Sequence, residues 1–243
     1  MKFARARNKQ TGEIIRGELV EGYSLKTKDR VFEHSELKLL APVEPSKIIC
    51  VGLNYRDHIE ETNSSVPDRP SLFFKPPTAI ANPGDPIEIE EDKRYDPEGE
   101  VAIVIGENCR NVDRADAFDY IQGFTGLNDV SNRDAQSWEQ NWVRAKGFDT
   151  AAPLGPAIVT PDEIELPISF ELEVNGSTRQ ASDTSKLIFD FSYLIEEISS
   201  FMTLLKGDVI STGTPRGVGP VEGGDTVKLK IDGIGTLENP VQY

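Results

Sequence analysis

The chain has 243 residues, with 26 basic against 41 acidic side chains and a formal net charge of −15. That length buries a sizeable core without disulfide staples, and the acidity excludes nonspecific nucleic-acid binding, which needs a basic face to neutralise phosphates. The excess of acid fits either a solvated surface suited to high salt or ordinary acidic solubility.

Residues 1 to about 40 alternate short apolar stretches such as Ile14-Ile15 and Leu19-Val20 with charges, the pattern of a few small antiparallel strands. Ala41–Ser46, with two prolines, reads as a linker. This gives a small N-terminal β segment (1–45) and a main domain (46–243) of buried-strand runs: Ile48–Val51, Val101–Ile105 and Asp208–Ser211. A helix is predicted over Arg114–Gln122, stopped by Gly123. Asn175-Gly176 predicts a hairpin between Ser169–Val174 and Ser177–Ala181. A longer helix is expected where Leu187, Phe191, Leu194, Ile198, Phe201 and Leu205 recur every three or four positions. Strand signals return at Thr226–Ile231 and Gly235–Leu237, so the fold class is a mixed, β-rich α+β.

Cys50 and Cys109 lack CxxC spacing, which argues against a zinc site or disulfide framework and for a reducing setting. No run approaches about 18 apolar residues, and Met1–Arg5 leads into polar residues rather than a signal core. The expectation is a cytoplasmic protein with no membrane or nucleic-acid partner. Asn63-Ser64-Ser65 and Asn175-Gly176-Ser177 are read as turns rather than glycosylation sites.

Glu98 and Glu100 are two apart ahead of Val101–Ile105, so a strand places both carboxylates on one face. Either a hard cation binds them, since oxygen ligands suit magnesium, manganese or calcium, or they line a solvated edge. Asp129 follows another apolar stretch and either completes a three-carboxylate site or caps the next segment. Glu61 stands one helical turn after His58, as a partner that raises imidazole basicity or as an exposed pair. Lys75 and Lys146 lie among bulky apolar residues, where an ammonium stabilises an enolate or carboxylate, unless only the stem lies on the core. The Gly207–Gly219 stretch lacks a P-loop lysine and a dinucleotide fingerprint, but its amides and the Thr214 hydroxyl suit a carboxylate. No GxSxG or HExxH pattern occurs.

Taken in order from Lys47 to the end, these segments resemble the fumarylacetoacetate hydrolase family. The resemblance rests on Asn54-Tyr55…His58…Glu61, Leu72–Pro76, Asp96…Glu98-Gly99-Glu100, Asn128–Ser131…Arg133-Asp134…Gln136, Lys146–Asp149, Leu154–Pro156, Val174–Gly176 and Gly207-Asp208…Thr212–Pro215. It implies a β-roll, dimerisation, and magnesium or manganese (calcium as an alternative) on Glu98, Glu100 and Asp129. It further implies that His58 and Glu61 activate water, within or beside a lid, and that Lys75, Arg133, Gln136, Lys146 and Thr214 surround a small anionic oxo-acid. Pro97, Asn132 and the short span from Gln136 to Lys146 depart from the family pattern and bear on substrate choice.

The expected activity is metal-dependent hydrolysis of the C–C bond of acylpyruvate-type β-diketo acids, with Lys146 stabilising the departing enolate. The alternative is isomerisation of a hydroxymuconate-type diacid or decarboxylation of oxaloacetate at the same site.

Overall fold

The uninterrupted apolar run Val101–Ile105 forms most of the strand Gly99–Ile105, in a computed structural model that describes residues 1–243. Its neighbours are the antiparallel strands Ile121–Asn128 and Val209–Ser211. Successive residues face opposite cores: Val101, Ile103 and Ile105 enter a cluster of 34 buried residues, Ala102 and Val104 a second of 12. A strand covered on both faces has no solvent side for polar alternation. Ile48–Gly52 divides the same way, with Ile49 and Val51 in the first cluster and Ile48 and Cys50 in the second.

These strands are the centre of a 12-stranded sheet. Beyond Ile121–Asn128 it continues through Ala152–Val159 to Lys2–Asn8, which also pairs with Ile14–Leu19 and Leu37–Leu40. At the other side Ile48–Gly52 joins Val209–Ser211 in parallel and carries the edge strand Ser71–Lys75. A five-stranded sheet packs over the larger cluster with Phe170, Leu172, Val227, Leu229 and Ile231, while the helix Phe191–Phe201 adds Leu194, Ile195 and Ile198. Ile103 is fully buried at this junction. Ile103→Ala is expected to cost about 3 kcal/mol of unfolding free energy, read by urea titration.

The hairpin forms as the sequence indicates. Ser169–Val174 pairs with Ser177–Asp183, and Asn175 (φ 52°) and Gly176 (φ 78°) supply the left-handed turn. The two helix expectations need correction. Arg114–Tyr120 is a 3₁₀ helix, and it ends before Gln122 because Ile121 is claimed by pairing with Ile105 in the sheet. The longer helix covers only Phe191–Phe201, capped by Asp190 and ended by extended backbone at Met202. Leu187 instead bridges to Tyr55 and packs half-buried against the larger cluster, so part of the apolar period came from residues outside the helix. No helix is long and apolar enough to cross a membrane.

Candidate metal centre and active site

Sheet register assembles the carboxylates. Glu100 lies opposite Leu127, and beyond the last paired residue the Asp129 amide donates to the Glu98 carbonyl at 2.8 Å. Asp129, two residues after Leu127, therefore shares its face and lies across from Glu98. Glu98, Glu100 and Asp129 are all buried, with ligand oxygens within 4.8 Å of one another.

Cations surround this acid. Lys146 Nζ lies 2.8 Å from Glu98 Oε2 and 2.6 Å from Asp129 Oδ2. Arg133 donates to Glu98, to Asp96 (2.8 Å) and to Gln136 (2.6 Å). Lys75 Nζ is 2.7 Å from Asp129 Oδ1 but directs its hydrogens to the carbonyls of Val130, Lys146 and Ala151, at 3.2, 2.6 and 2.8 Å. Asp129 Oδ1 is thus in ionic contact yet has no hydrogen bond. Glu100 Oε2 accepts from Ser211 Oγ (2.5 Å) and Gly213 N (2.8 Å).

Burial and the charges of Asp129 and Glu98 push the Glu100 carboxyl up to about 8, against the Ser211 and Gly213 hydrogen bonds. Burial acts the same way on Glu98, but Lys146 and Arg133 outweigh it and hold that carboxyl well below the usual range. Burial opposes charge on Lys146, and Asp129 and Glu98 outweigh it and raise its basicity. At Lys75 burial prevails over Asp129 and lowers it. An all-oxygen donor set, one carboxyl held neutral by its neighbours and one buried oxygen without a hydrogen bond fit a hard divalent cation.

A pH dependence follows from Glu100. Its folded-state pKa lies above the unfolded value near 4.5, so the folded protein retains a proton that the unfolded chain releases between these limits. Metal-free stability is expected to fall by up to about 1.4 kcal/mol per pH unit as pH rises through that window. Urea titrations in chelator from pH 5 to 8 read this slope, and Glu100→Gln should remove it.

The second component stands on the helix Arg56–Glu61. Asn54, fully buried, fixes its entry by donating to the carbonyls of Thr212 (2.8 Å) and Phe189 (3.0 Å). His58 Nδ1 lies 3.4 Å from Glu61 Oε2, and Gly217 N donates to both Glu61 oxygens at 3.0 and 3.2 Å. Gly217 has φ +101°, and a Cβ there would lie 2.0 Å from the Arg179 carbonyl oxygen, so glycine is required.

A cavity of about 250 Å³ opens onto Glu98, Glu100 and Asp129 and is also lined by His58, Arg133, Gln136, Lys146 and Thr214. Two residues named from the sequence stand outside it. Glu61 sits behind His58, and Lys75 is sealed beneath Asp129 with no exposed side-chain surface. Lys75 is therefore not placed to touch a substrate: a fully buried ammonium must satisfy its donors, and three nearby carbonyls take them. The larger cavity of about 510 Å³ near Lys9, Tyr23 and His34 contains none of the three carboxylates.

Sequence reasoning missed Phe73 and Trp142, which line the cavity and meet edge to face at 5.6 Å, with Lys146 Nζ 5.1 Å from the Phe73 ring centre. It also gave no role to Asp96, buried between Arg94 and Arg133. Trp142 shares a polar stretch with Trp138, and Phe73 stands beside Phe74 in an apolar run, so residue type alone does not say which aromatic of each pair faces the cavity.

Residues 47–242 match the family model described as fumarylacetoacetate (FAA) hydrolase C-terminal. The oxaloacetate tautomerase fahd2 of Xenopus laevis mitochondria is 43% identical over 231 residues, covering 90% of this chain and 72% of that protein. The structure of 5-carboxymethyl-2-hydroxymuconate delta-isomerase from Mycobacterium smegmatis superposes with a TM-score of 0.90 at 44% identity, covering 100% of this chain and 98% of that one. Maleylpyruvate hydrolase from Sphingobium sp. SYK-6, solved with manganese(II) and pyruvate, gives 0.83 at 28% identity, covering 100% and 99%. On this match and these likenesses the chain belongs to the fumarylacetoacetate hydrolase family.

Proposed function

We propose that the protein moves a proton at the carbon beside the oxo group of a short 2-oxo dicarboxylate, as a magnesium- or manganese-assisted tautomerase or isomerase. The supporting observation is the convergence of His58, backed by Glu61, with Lys146 and three carboxylates on one small cavity. The names of the tautomerase and isomerase relatives point the same way. Charge favours an anionic substrate. The four buried carboxylates Asp96, Glu98, Glu100 and Asp129 face four cations, Lys75, Lys146, Arg133 and Arg94, so a divalent cation leaves the ionised cluster net positive.

A divalent cation on Glu98, Glu100 and Asp129 supplies a Lewis acid for carboxylate and oxo oxygens. The protein's own groups do the rest. Glu61, held by Gly217, accepts from His58 Nδ1 and leaves Nε2 as the base that takes the proton. The Lys146 ammonium balances developing enolate charge, while Arg133 and Gln136 orient a substrate carboxylate.

Hydrolysis of an acylpyruvate is the second reading. It is favoured by the same His–Glu pair, which suits activation of water, and by the likeness to maleylpyruvate hydrolase. A homodimer in the cytoplasm belongs to the proposal, with exposed Trp138 and Val143 beside one cleft as an apolar face for a second copy.

The test follows the enol absorbance of oxaloacetate on chelator-stripped protein before and after magnesium or manganese, with pyruvate assayed in parallel. Metal-restored interconversion without pyruvate supports the tautomerase. Pyruvate from oxaloacetate indicates decarboxylation, and pyruvate from a short acylpyruvate indicates hydrolysis. No metal response with any of these, or with a dienedioate, rules the proposal out.

A further inference from the structure

Gln180 lies on the strand Ser177–Asp183 of the smaller sheet, is 1% exposed and does not line the cavity. Its Oε1 accepts from Gly99 N at 2.8 Å, and its Nε2 donates to Thr214 Oγ1 and the Pro215 carbonyl, both at 2.8 Å. Thr214 Oγ1 closes the ring by donating to the Gly99 carbonyl at 3.0 Å. One side of this ring is the residue between Glu98 and Glu100. The other is the loop that, two residues after Pro215, presents Gly217 N to Glu61.

We propose that Gln180 is a positioning residue that fixes the separation between the carboxylate cluster and the His58–Glu61 base. The inference rests on the reading that these two groups act together on an oxo-acid. The chemistry selects the amide: Gly99 N–H needs an acceptor while two oxygens face donors, and an ionised carboxylate supplies only the acceptor and an apolar side chain of this length neither. Because the ring is buried, water does not replace a lost contact, and a displaced loop carries Glu61 with it. The same strand meets the loop again one residue earlier, where the Arg179 carbonyl packs against Gly217.

The test substitutes Gln180→Met, alone and with Glu61→Gln, and measures manganese affinity by calorimetry, kcat and KM at saturating metal, and the melting temperature. The expected result is manganese binding weakened about 10-fold and kcat lowered about 10- to 100-fold, with KM changed by less than about threefold. In the Glu61→Gln background the loss in kcat should shrink by at least about threefold, because the loop then positions an amide that lacks the charge through which Glu61 acts on His58. A lower melting temperature with unchanged manganese affinity and kcat overturns the proposal in favour of packing alone. A loss of full size in the Glu61→Gln background overturns the route through Glu61. Should Gln180→Met fail to fold, Gln180→Glu retains the Gly99 contact and, when protonated, one donor. Its kcat should recover relative to the parent protein as pH falls, and parallel pH profiles overturn the idea. A parent protein that turns over no oxo-acid defeats the proposed function instead, and manganese affinity then decides the role of Gln180 alone.

Discussion

His58→Ala is expected to lower kcat by about 100- to 10,000-fold while manganese affinity stays within about twofold of the parent protein. The split follows from position. His58 lines the cavity but is not one of the three oxygen ligands, and its only side-chain partner is Glu61. Removing the imidazole takes away the base and leaves the carboxylate geometry, which is set by sheet register on separate strands. Glu61→Gln should cost less, about 10-fold in kcat, since the ring remains but loses the anionic partner that orients it and balances the proton it takes up. Calorimetry and initial rates on the same preparations check both. Unchanged turnover in His58→Ala removes that residue from the mechanism and leaves Lys146 as the group beside the reacting carbon. Weakened manganese binding would mean that the helix Arg56–Glu61 supports the carboxylates as well.

How far the site was legible in the sequence depends on the range of the interaction. Glu98 and Glu100 keep the two-residue spacing of extended backbone, Glu98 one residue ahead of the strand Gly99–Ile105 and Glu100 inside it, and their carboxylates meet. His58 and Glu61 meet through one helical turn. Both are local. Asp129 is different: its place across from Glu98 depends on which strands pair and in what register, and apolar composition alone does not encode that. Recognition of the motif order supplied what spacing could not. Lys75 shows the limit of that step, because the residue type is as expected while three backbone carbonyls from distant segments decide where its ammonium goes. Gln180 gave no signal, being one polar residue in a strand with partners 34 and 81 positions away. The helix expected from Leu187 to Leu205 erred for a related reason. Leu187 packs against the core from a loop and Leu205 is an exposed leucine past the last turn, so both extend the apolar period without helix, and only capping by Asp190 and the extended backbone at Met202 mark the true ends.

Asp129→Asn and Glu100→Gln are expected to abolish manganese binding alike, yet to differ in stability, and the contrast tests the charge arrangement. Asp129 lies between two buried ammonium groups, with Lys75 Nζ 2.7 Å and Lys146 Nζ 2.6 Å from its oxygens. Neutralising it leaves the sealed Lys75 without a carboxylate partner and Lys146 with Glu98 alone. The metal-free protein should lose about 3 kcal/mol, the scale for breaking a buried pair from one side. Glu100 faces no ammonium. Its oxygen accepts from Ser211 and Gly213, and its acid is already pushed up to about 8 by burial and by Asp129 and Glu98. Glu100→Gln therefore replaces a group that is largely neutral at pH 7, and its metal-free stability should match or exceed that of the parent protein. Urea titrations in chelator at pH 7 measure the difference. Equal losses in the two variants would show that Asp129 is not the counter-ion of the buried lysines, and that the three carboxylates share their charge evenly.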